Sequence, residues 1–267
     1  MRRTTRTISI AAVVLLLTAP AVVAAMPLIS HAPALSFRSA GLLHAASSTN
    51  WAGYAVTGAR HSVTFVNGSW TVPTVTGCRS GTTTYSSFWV GIDGYNSNSV
   101  EQTGTDSDCN GATPTYYAWY EFYPKPSHLI STLAIHPGDV IYAEVKFAAT
   151  KFTCTIKDVT TGKSFSTSAS VKAQRTSAEW IAEAPSSFTG VLPLANFGTV
   201  WFGFDNTSLP ATNSATIAGT TGLLGSFSSA VAINMVGVGN PSLTKASTSA
   251  ISSDKTSFSV TWKAAGP

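Results

Sequence analysis

Charged residues are scarce in this chain. Asp, Glu, Lys and Arg make up 10% of its 267 residues, while Ser, Thr, Gly and aromatics are plentiful, a balance that points to a β-rich extracellular protein. A basic face is missing too, despite the formal charge of +4. Four of the sixteen basic residues (Arg2, Arg3, Arg6, Arg38) fall within residues 1–46, which hold no acid, so the remainder carries twelve of each sign. Nucleic acid is therefore not an expected partner, since binding it needs a clustered basic surface. The chain shows no helical pattern of any length, no internal repeat and no Pro- or charge-rich linker after residue 50, and one domain over 47–267 is the simplest organisation. Familiar catalytic signatures are absent as well. His61, His128 and His136 form no His-Glu-x-x-His and no cluster at metal-ligand spacing. There is no Gly-x-Ser-x-Gly elbow, no Asp-Thr-Gly or Asp-Ser-Gly, and no glycine loop that could cradle a phosphate. What remains for chemistry is carboxylates, amides and aromatics, with no metal and no cofactor expected.

Only three cysteines are present. That number suits one disulfide and one leftover thiol in an oxidising compartment. Cys78 and Cys109 lie in Gly/Ser/Asp-rich stretches and are the expected pair, whereas Cys154 alternates with apolar residues and reads as a small buried side chain. Residues 1–25 have the three parts of a secretion signal: Arg2, Arg3 and Arg6, an apolar run over 8–23, and small residues at Val23 and Ala25 before a cut at Met26. An uncleaved anchor is the competing reading, which the small residues and Pro20 disfavour. A secreted protein with no stable membrane association after cleavage is expected. Residues 26–46 read as a propeptide or linker.

Beyond residue 47 the chain reads as short strands between turn clusters, which argues for a sandwich or barrel. Ile141, Ala143, Val145 and Phe147 alternate with Tyr142, Glu144 and Lys146, and 258–262 alternates as cleanly. Val200, Phe202 and Phe204 are expected along one side of a strand, and 160–163 reads as a hairpin turn. Two segments break the bland pattern. As a strand, 115–123 shows Tyr117, Trp119, Glu121 and Tyr123 on one face and Tyr116, Ala118, Tyr120 and Phe122 on the other. A central core strand would explain the aromatics but not Glu121, which needs a partner that a cleft can supply. In 177–184, Glu179, Ile181 and Glu183 share one face if extended; a solvated edge and an acidic concave surface explain this equally well.

Six motifs then occur in order: Asn50-Trp51-Ala52-Gly53-Tyr54, Trp70-Thr71-Val72-Pro73, Phe88-Trp89-Val90-Gly91-Ile92-Asp93-Gly94, Glu101-Gln102-Thr103-Gly104-Thr105-Asp106, Ala118-Trp119-Tyr120-Glu121-Phe122-Tyr123-Pro124 and Ala178-Glu179-Trp180-Ile181-Ala182-Glu183. This succession resembles the glutamic peptidases, or eqolisins, over about 50–204. The resemblance implies an all-β, concanavalin A-like sandwich of two antiparallel sheets with a concave substrate cleft, and an endopeptidase acting on proteins or peptides as a monomer. It also implies Gln102 and Glu179 as the catalytic pair. Trp89, Asp93, Asp106, Trp119, Glu121 and Tyr123 would line or support the cleft, with Trp51 and Gly53 at its edge. Tyr117 departs from the acidic residue expected there, which bears on subsite preference.

The chemistry suits these side chains. A carboxylate such as Glu179 can take a proton from water and return it to the leaving amine. The Gln102 carboxamide can orient that water through its oxygen and donate to the developing oxyanion through its NH₂. An acidic optimum follows from an ordinary glutamate. His31, Arg38 and His44 of the acid-free stretch 26–46 could pair with cleft carboxylates near neutral pH; a passive tail is the duller alternative. A carbohydrate-binding or glycoside-hydrolysing sandwich is the competing function, since Glu121, Glu179 and Glu183 among aromatics would suit it, but it leaves Gln102 without a purpose.

Overall fold

In a computed structural model, the described residues are 29–35, 38–39 and 45–266. The expected secretion signal lies outside them, as do 26–28, 36–37 and 40–44 of the expected leader. Among the described residues, seventeen strands of four or more residues follow one another: β1 (Ala45–Ser48), β2 (Trp51–Thr57), β3 (Val63–Thr71), β4 (Ser87–Ile92), β5 (Val100–Asn110), β6 (Thr113–Tyr123), β7 (His128–Ala134), β8 (Val140–Ala148), β9 (Lys151–Asp158), β10 (Ser164–Ala169), β11 (Ser177–Glu183), β12 (Thr199–Phe202), β13 (Ser214–Ile217), β14 (Thr220–Leu223), β15 (Ala230–Gly237), β16 (Asn240–Thr248) and β17 (Phe258–Trp262).

They form the expected antiparallel sandwich. One layer runs β7–β6–β5–β4–β11–β2–β15. The other runs β10–β9–β8–β3, with β12 and β13 both against β3 and β17 beside β12. The two layers are not separate sheets. β16 pairs with β17 on one side and β15 on the other, so a single ladder bends over from layer to layer. The register shifts at Met235, Val236 and Gly237 mark the bend, as bulges do at sandwich corners.

Two-residue alternation sends side chains to two destinations. Ala52, Tyr54 and Val56, Phe88, Val90 and Ile92, and Ala178, Trp180 and Ala182 point between the layers. There they meet Trp70, Ile141, Val145, Phe152, Ile156 and Phe202 of the other layer. Burying each large apolar side chain contributes about 1.5–3 kcal/mol. The intervening residues Trp51, Ala55, Trp89, Trp119 and Ile181 form a second cluster on the opposite face. Cys154 is buried in the core as a free thiol, and Cys78 is bonded to Cys109 as expected.

One strand assignment is corrected. Val200 and Phe202 are buried in β12, but Phe204 opens a four-residue helix, Phe204–Thr207, and is exposed. Gly203 ends the strand: its φ is 97°, and a Cβ there would lie 2.6 Å from the Thr256 carbonyl oxygen.

β2 and β11 approach closely. Gly53 has φ 136°, and a Cβ there would lie 2.1 Å from the Trp180 carbonyl oxygen. Strain and overpacking at Gly53→Ala should together cost at least about 3 kcal/mol, read as a lowered urea midpoint with the slope unchanged.

Candidate active site

Register assembles the site. β11 pairs with β4, β4 with β5 and β5 with β6, which sets Glu179, Gly91, Gln102 and Glu121 in one cross-strand row. The next rows are Ile181, Trp89, Gly104 and Trp119, then Glu183, Ser87, Asp106 and Tyr117. All face away from the core, and Glu179, Gln102, Asp106, Trp119 and Glu121 are buried. Gly91 between Glu179 and Gln102 leaves their row without a side chain; a Cβ would lie 2.9 Å from the Trp89 ring and 3.2 Å from the Gln102 Cβ. Among the described residues no hydrogen bond joins Gln102 to Glu179.

Gln102 is held from the other side. Its Nε2 donates to Glu121 Oε2 at 2.9 Å and to the backbone carbonyl of His31 at 2.6 Å. Both neighbours are acceptors, so the NH₂ must face them, and Oε1 has no hydrogen-bond partner among the described residues. Glu121 also accepts from the His31 N–H at 3.0 Å and the Ser30 hydroxyl at 3.1 Å. Its partner is therefore the chain's own N-terminal segment. The His31 ring stacks on Trp119 with centroids 3.4 Å apart and planes 3° from parallel. Its Nε2 lies 3.5 Å from Asp106 and 3.1 Å from the Ser87 hydroxyl, and its Nδ1 lies 3.4 Å from Glu121. The Arg38 side chain and His44 fall outside the described residues.

The remaining expected residues take supporting places. Trp119 Nε1 donates to Asp106 at 2.6 Å. The Tyr117 hydroxyl lies 2.9 Å from both Asp106 and Asp108. A phenol has one proton to donate, so the second contact needs a proton on a carboxyl. Burial and the Asp106 charge push Asp108 well above the usual carboxylate range and make it the holder. Trp89 Nε1 donates to Glu183 at 2.8 Å, and Trp51 packs edge-on against Trp89 while donating its own N–H to the Ala32 carbonyl. Tyr123 packs against this aromatic cluster. Asp93 acts one step away. At φ 73° it accepts from the backbone N–H groups of Arg175 and Thr176 at 2.6 and 2.8 Å, fixing the entry to β11 two residues before Glu179. Ser87 and Asp108 were not singled out from the sequence as site residues, and Glu183 was named only for the carbohydrate alternative. Glu183 alone had a signal, its shared face with Glu179.

Comparison with known proteins points one way. The Peptidase A4 family profile matches residues 49–262. Aspergillopepsin-2 of Aspergillus niger is 33% identical over 178 residues, covering 58% of this chain and 62% of that protein. Scytalidopepsin B of Scytalidium lignicola is 35% identical over 153 residues, covering 55% of this chain and 56% of that protein. The matched stretches thus span less than two thirds of either relative. Among solved structures, scytalido-glutamic peptidase with a transition state analog inhibitor superposes with a TM-score of 0.65 at 28% identity, covering 80% of this chain and 98% of that one.

Burying so many acids on one layer raises their proton affinity. Burial pushes Glu179 well up, Asp93 and Glu101 add to it, and Ser177 and the Tyr95 backbone work against it. Burial likewise raises Glu183, with His31 and Trp89 opposing, and raises Glu101 to about 9 with help from Asp93. Burial alone would lower His31, but Asp106 and then Glu121 hold it up to about 10. Each raised carboxyl keeps its proton in the folded state while the unfolded chain releases it. The stability each confers is complete below about pH 4 and is lost as pH rises, toward about 9 for Glu101, at no more than about 1.4 kcal/mol per pH unit per group. His31 acts in the same direction: its contribution is complete below about pH 6.5 and lost toward about 10. The melting temperature should therefore be highest near pH 4 and fall steadily to pH 8, and Glu101→Gln should flatten that fall; calorimetry across the range checks it.

Proposed function

The chain belongs to the Peptidase A4, or eqolisin, family, and from that premise we propose that it is a secreted endopeptidase that hydrolyses peptide bonds in acid with Glu179 and Gln102. The observation that carries this reading is the Gln102 carboxamide donating to a peptide carbonyl at 2.6 Å inside the cleft. A donor already placed on a carbonyl oxygen is the arrangement needed to stabilise the oxyanion when that carbonyl is attacked. Gln102 Oε1, without a partner among the described residues, is left to accept from the attacking water.

Glu179 supplies the proton transfers. It takes the proton of the water as its oxygen adds to the carbonyl carbon, then returns a proton to the amide nitrogen as the C–N bond breaks. A carboxylate whose proton affinity is raised by burial is the stronger base once ionised, and water entering an opened cleft lowers the cost of ionisation. The Glu179 backbone is braced by Asp93, and the empty lane over Gly91 lets the pair act on one substrate bond. Trp51, Trp89, Trp119 and Tyr123 offer apolar walls for substrate side chains, while Asp106 and Glu121 offer charge. Gly53 brings β2 close enough for Trp51 to reach the cleft. The relative crystallised with a transition state analog inhibitor is a peptidase of the same fold. The glycosidase alternative still gives Gln102 no role.

The deciding measurement is hydrolysis of a protein substrate at pH 3–5 with an aspartic-peptidase inhibitor present. Gln102→Ala should reduce turnover about 10²–10³-fold, and Glu179→Ala should leave no more. Full activity in either variant, or release of reducing sugar instead of peptides, would overturn the assignment.

A further inference from the structure

Buried acids leave a surface that the composition conceals. Nine of the twelve Asp and Glu side chains are buried, whereas of the twelve Lys and Arg in 47–267 only Lys245 is. Eleven bases thus stand against three acids at the surface, where the sequence shows equal numbers.

Four basic side chains gather at one end of the sandwich. The turn between β2 and β3 carries Arg60 and His61, and the segment leading from β10 into β11 carries Lys172 and Arg175. Backbone bonds hold the two together: the N–H groups of Gly58, His61 and Val63 donate to the carbonyls of Thr176, Gln174 and Arg175 at 2.8, 2.7 and 3.1 Å. His61 (φ 66°) and Arg175 (φ 51°) both take the left-handed conformation that side chains rarely adopt. Such strain persists where the surroundings impose it, and it gathers at ligand sites. The Arg175 guanidinium lies over the Phe147 ring, 4.0 Å from its centroid, and donates through Nη1 to the Val63 carbonyl at 3.1 Å. Its other N–H donors have no hydrogen-bond partner among the described residues. Nor, among those residues, does a carboxylate form an ion pair with Arg60, Lys172 or Arg175.

Cavities join this cluster to the candidate active site. One of about 350 Å³ is walled by Arg60, His61, Lys172, Arg175 and the Phe147 ring, with no Asp or Glu in its lining. It shares Arg60 and Lys172 with a second of about 310 Å³, which reaches Asn98 and Pro124 and also holds no acid. Those two residues border a third of about 520 Å³, which extends to Tyr123, two positions from Glu121 on β6. A basic track therefore runs from the aromatic edge of the site to the end of the sandwich.

We propose that this track is an extended binding site for the acidic side chains of a peptide substrate, with Arg60, Lys172 and Arg175 as the residues that set the preference. The substrate rests on the peptidase reading, while the anion site stands on the cluster alone. Two forces act in the same direction. An Asp or Glu bound over Gln102 would meet the carboxyls of Asp106 and Glu121, so acidic residues are disfavoured inside the cleft and favoured on the track. A guanidinium fixed on a ring loses little freedom when it takes a carboxylate, which makes Arg175 the anchor; the exposed Arg60 and Lys172 add steering. Asp93, the carboxylate that reaches Arg175, is turned to the backbone N–H groups of Arg175 and Thr176 and leaves the guanidinium to the ligand. Because an Asp or Glu of the substrate titrates near ~4, the preference belongs to the upper part of the acid range.

Two peptides that share one cleavable sequence and carry a tail of Glu or of Gln, before it in one pair and after it in another, test this on the full chain. At pH 5 and low salt, kcat/KM should favour the Glu tail about 5–20-fold in one placement, as expected for two or three exposed ion pairs. That preference should vanish toward pH 3 and in ~1 M salt. The double variant Arg60→Gln, Lys172→Gln changes two exposed side chains that make no hydrogen bond among the described residues, and should lose most of it. No preference in either placement at pH 5, or an undiminished one in the double variant, would overturn the track and leave the peptidase reading standing. A dye-labelled Glu tail without the cleavable sequence, followed by fluorescence anisotropy, separates the two readings. If the chain hydrolyses nothing but binds the tail, and the double variant binds it at least ~5-fold more weakly, the track stands and the peptidase reading falls. Neither hydrolysis nor binding overturns both. Tighter binding of heparin or duplex DNA than of the Glu tail would overturn a peptide as the occupant.

Discussion

Pairing register across β6, β5, β4, β11 and β2 is the constraint on which the molecule depends. Five strands in phase send one set of alternating residues into the core and the other onto the opposite face of the layer. A slip of one residue in any of them would exchange the two sets. Glu179 would then enter the core in place of Trp180, and Gln102 would trade places with Glu101. The glycines enforce the phase. Gly104 lies against the Phe88 carbonyl and Gly53 against that of Trp180, so these backbones approach closely only where no Cβ intervenes. Two fully buried indoles, Trp70 and Trp180, lock the core side, with Trp180 donating to the Asn67 carbonyl of the opposite layer.

That phase also creates the electrostatic problem that shapes the site. Seven acids (Asp93, Glu101, Asp106, Asp108, Glu121, Glu179 and Glu183) are buried on or behind one layer, of twelve in the whole chain. Low dielectric makes their mutual repulsion expensive, and the structure relieves it in three ways. Some take neutral donors, as Asp93 does from two backbone N–H groups and Asp106 from the Trp119 indole. Some hold a proton, as the single-proton Tyr117 bridge requires of Asp108. Asp106 and Glu121 share one cation, His31.

How much of this could be seen in the sequence follows from what each feature depends on. Alternation in 115–123 and 177–183 correctly divided both strands between two faces, because a strand's period is local. The Cys78–Cys109 bond was legible because Gly/Ser/Asp-rich sequence surrounds both cysteines, although Cys109 itself lies in β5. Phe204 was misplaced because apolar spacing says nothing about the positive φ of Gly203, which ends the strand one residue earlier. The Glu183–Trp89 bond and the Tyr117 bridge were invisible, since each joins residues whose separation becomes contact only through register. Tyr117 appeared as a departure from an acidic pattern; in place, its hydroxyl ties two acids together, which a third carboxylate could not do without adding to the repulsion. Composition pointed to 26–46 as basic and acid-free, and could not say that His31, rather than any other cation there, would meet Trp119.

A cleft built this way favours acid for reasons that precede its chemistry. The buried carboxyls that destabilise the fold as they ionise are neighbours of the pair assigned to the reaction, so the conditions that best preserve the sandwich are those in which proton transfer to an amide nitrogen is easiest. Near neutrality the cost of ionised neighbours falls hardest on the face that carries Asp106 and Glu121, and among the described residues the His31 imidazolium is the cation placed to offset it. The same residue places a peptide carbonyl on Gln102. Electrostatic relief and occupation of the cleft are then one interaction, and a group that relieved the charge without entering the cleft would have to displace the stacked ring from Trp119.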